Sequence, residues 1–416
     1  MPPPSEFRLP PLRIVLVFIA VFAVLSHFSA VHHSTTYSAR VSSIRDKLGL
    51  ASDGMPLGAR VRLGQAAAEA GHEPGKVLGG GTAAEAERLV SDVDGTGLDS
   101  GRANATFFIL ARNGDLWDIL KSMRGMEDRF NRKYHYPYTF LNDQPFDDDF
   151  KRYTSSIASG PCTYGVIPKE HWEEPSWIDE GKAAAARQQM AEQKVIYGDS
   201  KPYRRMCRFE SGFFHQHELL KPYKYYWRLD PNVQYFCDLD YDPFRYMQDH
   251  GKKYGWTISL YEYEATIPTL WQNTKDFMDQ HPEYVAEPNM LAWVSPDQGK
   301  SYNRCHMWSN FELGDMDFFR SEAYSEYFNH LDRAGGFSYE RWGDAPVHSL
   351  AVSLFLRPDE VHWFHDIGYR HEPFQHCPLD AADRCACNPR DPLNFEQHWY
   401  SCTPRWKELH PDWATA

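Results

Sequence analysis

The sequence changes character at Asn104. Between Tyr37 and Phe107 there is no aromatic side chain, only a run rich in Ala, Gly and Ser with Gly79-Gly80-Gly81 near its middle. Such a stretch cannot bury enough apolar surface to offset the entropy of ordering it. Residues 32–103 therefore read as a stem, with short helices near 59–70 and 83–89 at most. Aromatic residues make up 15% of the chain, including 24 Tyr and 13 Trp, and nearly all lie beyond the break. The core, and any stacking surface for sugars or bases, must be built from residues 104–416. A chain of 416 residues has room for one large or two ordinary domains.

Ahead of the stem, residues 14–25 are uninterrupted apolar sequence, and with residues 26–31 they reach roughly the minimum span of a bilayer. A cleaved signal peptide is the alternative, but Phe28 is not the small residue that cleavage needs. The preferred reading is a signal anchor over 14–31, with residues 1–13, carrying Arg8 and Arg13, as a cytoplasmic tail. Either reading sends the rest of the chain into the secretory pathway. Eight cysteines at long intervals suit disulfides in an oxidising lumen, with buried thiols as the alternative. The net charge of -13 argues against nucleic acid as a partner, since phosphate binding needs a basic surface.

Past Asn104 the pattern predicts a β-α-β unit: a strand over 106–110, an Asn113-Gly114 turn, an amphipathic helix over 115–129 and a strand over 138–141. Arg112 sits at the tip of the first strand, either meeting a nucleotide or simply solvated. A peripheral helix is expected over 179–193, a strand over 257–260, and apolar runs at 291–294 and 307–311. Two more helices follow, over 322–333 with Ser321 as N-cap and over 345–356 with Asp344 as N-cap. A late strand over 361–369 leads to His371. The Pro- and Asp-rich tail from Cys377 to Cys402 looks loop-like and held by disulfides. No internal repeat is found.

The chemistry centres on residues 225–244. Two acidic sites, Asp230 and the group Asp238, Asp240 and Asp242, follow aromatic-rich apolar runs, where strands give way to loops. In open α/β sheets ligands bind at the carboxyl ends of strands, and carboxylates there suit a hard cation holding a diphosphate. By pattern alone, Asp238-Leu239-Asp240 looks like the Asp-x-Asp element of nucleotide-sugar transferases, or else a loop-capping cluster. Asp230 precedes Pro231, which stiffens the backbone; Arg228 could pair with it structurally. Arg204, Arg205 and Arg208 are candidates for phosphate or sugar hydroxyls. Glu312, after an apolar run and near Trp308, could face a sugar carbon or sit on a solvated edge. His371 is a metal-ligand type, and Asn104-Ala105-Thr106 is a glycosylation sequon.

From Asn104 to about Pro378 the chain resembles the fungal Golgi α-1,2-mannosyltransferase family of the yeast killer-toxin-resistance type. The resemblance rests on Glu-Asp-Arg-Phe-Asn-Arg-Lys-Tyr-His-Tyr-Pro-Tyr-Thr-Phe-Leu-Asn-Asp (127–143), Tyr-Arg-Arg-Met-Cys-Arg-Phe-Glu-Ser-Gly-Phe-Phe (203–214), the central stretch, Cys-His-Met-Trp-Ser-Asn-Phe-Glu (305–312) and Ile-Gly-Tyr-Arg-His-Glu-Pro-Phe (367–374). It implies an α/β, GT-A-type glycosyltransferase fold with a Rossmann-like nucleotide-binding half, preceded by a membrane anchor and stem. It implies a single-pass type II Golgi membrane enzyme with its catalytic domain, 104–416, in the lumen. The implied reaction uses Mn²⁺ and transfers mannose from GDP-mannose, with retention, to the 2-hydroxyl of α-mannoside acceptor glycans on glycoproteins. Carried over position by position, the metal-binding acid falls on Asp230 and the metal-binding imidazole on His371. The candidate nucleophile falls on Glu312 and the active-site tyrosine on Tyr203. The resemblance thus prefers Asp230 to the Asp238/Asp240 pair. The family usually has Glu-Pro-Asp where this chain has Asp230-Pro231-Asn232, one methylene shorter at the metal. Two alternatives remain: mannosylphosphate transfer, and a lumenal mannan-binding protein with weakened catalysis.

Overall fold

The computed structural model describes residues 101–379 and 383–412. The expected tail, anchor and nearly all of the stem lie outside the described residues. Among those described, no helix is long and apolar enough to cross a membrane.

Among the described residues twelve strands form three sheets: β1 (Ala105–Leu110), β2 (Tyr138–Asn142), β3 (Cys162–Val166), β4 (Tyr225–Arg228), β5 (Gln234–Tyr235), β6 (Tyr254–Trp256), β7 (Ser259–Tyr261), β8 (Cys305–Met307), β9 (Leu313–Asp315), β10 (Val361–Trp363), β11 (Tyr369–His371) and β12 (Phe374–His376). The central sheet has seven strands in the order β10-β6-β9-β4-β1-β2-β3. β3, β2, β1 and β4 run parallel, while β9 is antiparallel to both β4 and β6. The expected α/β fold, with four neighbouring strands parallel, is therefore present.

The side-chain alternation of a strand explains why both faces are covered. From β1, Phe107 and Ile109 enter one apolar cluster and Phe108 the other. From β4, Tyr225 and Trp227 go one way and Tyr226 goes the other. Gly314 in β9 makes room for that turn, since a Cβ there would lie 2.6 Å from the Tyr226 ring.

The principal helices are α1 (Leu116–Met126), α2 (Asp148–Ile157), α3 (Glu180–Glu192), α4 (Lys201–Gly212), α5 (Pro243–Asp249), α6 (Leu270–Gln280), α7 (Glu322–Ala334) and α8 (Asp344–Phe355). α1 takes the face expected of it, burying Leu116, Ile119, Met123 and Met126, and then loosens into a π turn over Glu127–Asn131. Ser321 caps α7 through the Tyr324 amide, as expected. Asp344 does not cap α8: Gly343 is the N-cap and Asp344 is the first helical residue. Its carboxylate is taken by side chains instead. Of the strand expected over 257–260 only residues 259 and 260 are extended, as the start of β7, and the late strand over 361–369 is reduced to β10 and the first residue of β11.

Six cysteines pair as Cys237–Cys385, Cys305–Cys402 and Cys377–Cys387. Cys162 and Cys207 are buried thiols. The tail is therefore tied down as expected, but disulfides account for six of the eight cysteines.

Candidate active site

The chain runs β1, β2, β3 to one side and then returns to place β4 on the other side of β1. That reversal opens a crevice at the carboxyl ends of β1 and β4, where open α/β sheets bind ligands. A cavity of about 720 Å³ occupies it. Residues 111–115 line it from the end of β1, residues 142–144 from β2, and Arg228, Asp230 and Pro231 from β4. Ser200, Pro202, Tyr203 and Met206 close it from the start of α4, with Trp172 and Tyr197. Arg112, Tyr203 and Asp230 thus share one cavity.

Asp230 is held, as one reading of the sequence allowed, by Arg228. Arg228 Nε donates to Oδ1 at 2.8 Å and a terminal nitrogen donates to Oδ2 at 3.1 Å. The same guanidinium donates to Asp344 Oδ2 at 2.7 Å, which also accepts from Ser309 Oγ at 2.7 Å. Burial alone would push the Asp344 carboxyl up, but the charges of Arg228 and His348 hold it below the usual carboxylate range.

One turn further along α8, His348 Nδ1 lies 2.7 Å from Glu312 Oε2, and its Nε2 lies 3.0 Å from the Glu210 carbonyl oxygen. A carbonyl oxygen only accepts, so Nε2 carries a proton. Burial favours the neutral ring, but Glu312 and Asp344 raise its pKa above the ordinary histidine value. His348 is therefore an imidazolium donating at both nitrogens. From rim to core the charges alternate: Asp230, Arg228, Asp344, His348, Glu312.

Glu312 is 1% exposed and is not among the residues that line the cavity. Its Oε1 accepts from the Tyr226 hydroxyl, and its Oε2 accepts from the Tyr254 hydroxyl at 2.7 Å as well as from His348. Close by, Glu210 is also 1% exposed, and its Oε1 has no hydrogen-bond partner among the described residues. Burial pushes its pKa well above the ordinary carboxylate value, which favours the neutral form.

Tyr203 is fixed on several sides. The Tyr197 ring stacks on it at 4.5 Å, the Arg341 guanidinium lies 5.3 Å from its centroid, and its amide is capped by Ser200 Oγ. Burial raises the phenol well above its ordinary value. Arg112 forms an exposed pair with Asp115 at 3.2 Å.

His371 ends β11, which pairs antiparallel with β5 in the register Tyr369↔Tyr235 and Arg370↔Gln234. Continuing that register sets His371 opposite Val233, and the Asp230 charge reaches both Tyr369 and Tyr235. His371 Nδ1 lies 3.0 Å from the Glu372 carbonyl oxygen. That nitrogen must donate, which leaves the lone pair on Nε2, the tautomer a metal ligand needs. Among the described residues no cluster of three or more His, Cys, Asp or Glu converges on one point. His371 is not among the residues that line the cavity with Arg112, Tyr203 and Asp230.

Other sequence candidates are occupied elsewhere. Asp238 pairs with Arg129 at 2.6 Å on the surface. Asp242 caps α5 and accepts from the Tyr136 hydroxyl at 2.6 Å. Neither these nor Asp240 lines the cavity. Arg208 forms a buried two-bond pair with Asp332, and Arg204 donates to the carbonyls of Glu340, Tyr197 and Ser200. Both belong to the packing of α4, not to a phosphate site. In the sequon, the Asn104 amide donates to the Pro222 carbonyl and Thr106 is fully buried. His348 escaped the sequence reading altogether. The signal was available, since Asp344 and His348 lie four apart on one helix face.

Residues 81–411 match the family model described as glycolipid 2-alpha-mannosyltransferase. A Candida albicans protein named glycolipid 2-alpha-mannosyltransferase 1 is 50% identical over 358 residues, covering 85% of this chain and 82% of the relative. The Saccharomyces cerevisiae alpha-1,2 mannosyltransferase KTR1 is 55% identical over 313 residues, covering 74% and 79%. The crystal structure of core-mannan synthase A from Aspergillus fumigatus, in its Mn/GDP form, has a TM-score of 0.69 at 44% identity and covers 74% of this chain and 85% of that one. The S. cerevisiae mannosyltransferase Ktr4p in complex with GDP has a TM-score of 0.71 at 38% identity, covering 78% and 90%.

Proposed function

The chain belongs to the glycolipid 2-alpha-mannosyltransferase family, and on that premise we propose that the crevice between β1 and β4 binds GDP-mannose. The protein is a glycosyltransferase that adds mannose to the 2-hydroxyl of an α-mannoside and depends on Mn²⁺. The observation that carries the assignment of the site is the meeting of Arg112, Tyr203 and Asp230 on one cavity at the switch point of the sheet.

In this reading Arg112, at the tip of β1, meets the nucleotide. Asp230 and His371 would hold the cation against the diphosphate. Manganese, when bound, offsets the charge that develops on the departing diphosphate. Arg228 fixes the Asp230 carboxylate with two bonds, which limits the reach of the shorter side chain but holds its direction. The Tyr203 phenol keeps its proton and so serves as a donor to a sugar or diphosphate oxygen. Glu312 lies behind the cavity wall, so acting as the carboxylate beneath the hexose requires it to reach the cavity and to shed Tyr226 from Oε1, or both Tyr254 and His348 from Oε2. Retention follows from attack on the same face as departure, or from two inversions.

The membrane arrangement belongs to the same proposal: an anchor over 14–31, a stem over 32–103 and a catalytic domain over 104–416 in the Golgi lumen, facing glycoprotein acceptors. Three disulfides support an oxidising compartment. A second reading, a mannan-binding protein without turnover, draws on one observation: both Asp230 oxygens are already taken by Arg228.

The test uses the full-length protein in detergent with GDP-mannose, Mn²⁺ and methyl α-mannoside. A neutral α-1,2-linked dimannoside is expected. A charged product would mean mannosylphosphate transfer. No product, with GDP-mannose failing to bind in calorimetry, would leave the second reading.

A further inference from the structure

Trp399 is 82% exposed, more than any other large apolar side chain among the described residues, and Tyr263 is 55% exposed. Neither gains much from folding in that position, and exposed aromatic patches commonly mark binding surfaces. The two flank Tyr400: Trp399 lies 5.3 Å from the Tyr400 ring at 74°, and Tyr263 lies 6.3 Å from it at 41°. The segment is not a loose tip. Cys402 is bonded to Cys305, its amide donates to the Ser259 carbonyl, and Ser401 bridges to Leu260.

The rings also lead somewhere. From Tyr400 the contacts run through Phe395 at 6.2 Å, Phe374 at 4.2 Å and Trp308 at 5.8 Å to His371 at 4.9 Å. Phe395 is buried, but His398 bridges the exposed end directly, lying 6.2 Å from Trp399 and 6.4 Å from Phe374. Charged groups stand beside it. Glu262 accepts from the Tyr263 amide at 2.7 Å, and Arg304 pairs with Glu264 at 3.1 Å. Rigid ring faces next to carboxylates and a guanidinium match a pyranose, which has an apolar C–H face and a rim of hydroxyls.

We propose that Trp399, Tyr400 and Tyr263 form an outer subsite for the acceptor glycan, holding a mannose unit remote from the one that receives the new linkage. The proposal rests on the transferase reading for its substrate class. It names a subsite that a monosaccharide acceptor cannot reach. Binding energy from such a remote unit acts mainly through affinity, because it is the same in ground and transition states.

The test compares methyl α-mannoside with α-1,2-mannotriose as acceptors for wild type, Trp399→Ala and Trp399→Phe, with melting temperature as a folding control. Trp399→Ala should lower kcat/KM for the triose about tenfold, the size of one well-packed aromatic contact, through KM. It should leave the monosaccharide reaction unchanged, and Trp399→Phe should recover most of the loss. Calorimetric titration of mannotriose, without donor, reads the same subsite independently of turnover. Triose binding that depends on Trp399 in a protein that transfers nothing would sustain this inference while defeating the transferase reading. Equal losses for both acceptors would overturn it. So would triose binding that is indifferent to Trp399, as expected if the patch serves a protein or a lipid surface instead.

Discussion

Two acidic groups only eight residues apart, Asp230 and Asp238, come from the same kind of sequence and end in opposite circumstances. Both follow an aromatic-rich run that becomes a strand, and the run before Asp238 even carries the more familiar Asp-x-Asp spacing. Asp230 lies beyond β4, a central strand beside the switch point, so its carboxylate opens into the crevice. Asp238 follows β5, a two-residue strand of a peripheral sheet, and is spent on a surface pair with Arg129. The lesson is positional. What brings a strand-end carboxylate to the crevice is which strand it ends, not the residues beside it.

Breaking the pairing behind Asp230 should have the largest effect. Arg228→Ala leaves Asp230 and Asp344 without their shared cation in a buried setting, and should lower stability by about 3–5 kcal/mol, read as a fall in melting temperature or denaturant midpoint. Asp230→Asn keeps the shape and removes the charge. It should cut kcat by about 10²–10³, the scale of losing one preorganised charge-stabilising group, and weaken the response to Mn²⁺ while the fold survives.

The inner end of the charge chain makes a pH prediction. The folded-state pKa of His348 is raised, so its bond to Glu312 is fully present below the ordinary imidazole range and is lost as pH rises through the raised value. Stability should therefore decline on that alkaline limb. His348→Gln should flatten the limb and remove about 1.5–3 kcal/mol at acid pH, visible in melts across the pH range. A wild-type limb that persists unchanged in the variant would detach it from His348.

The Asp238 side should respond weakly. Asp242→Ala removes the cap of α5 and a partner of the Tyr136 hydroxyl, a loss of about 1–2 kcal/mol with transfer rate intact. Asp238→Ala breaks an exposed ion pair and should change stability by about 0–1 kcal/mol, with activity and Mn²⁺ dependence unaltered. If Asp238→Ala instead matched Asp230→Asn in its metal response, the contrast between the two acids would collapse.

Local pattern was a good guide where a residue's role depends on its neighbours in sequence. The β-α-β start, the apolar face of α1, the Ser321 cap and the disulfide-held tail were all legible, because period, capping and cysteine count are short-range signals. It failed where partners come from far along the chain. Arg204 and Arg208 read as a basic anion site until α4 packed them against Glu340 and Asp332. Asp344 read as a cap until Arg228, 116 residues away, claimed its carboxylate. The resemblance to a family singled out Asp230 where the residues alone favoured Asp238.

By itself, then, the sequence determined that the aromatic residues gather beyond residue 104 and that the sheet begins with a β-α-β unit. Only the tertiary structure decided that Arg112, Tyr203 and Asp230 share a cavity, and that Glu312 sits behind it under two tyrosines and a histidine. The reason is physical. Strand and helix periods are set by near neighbours, whereas the fate of a charge is set by whatever opposite charge and solvent reach it once distant segments pack together.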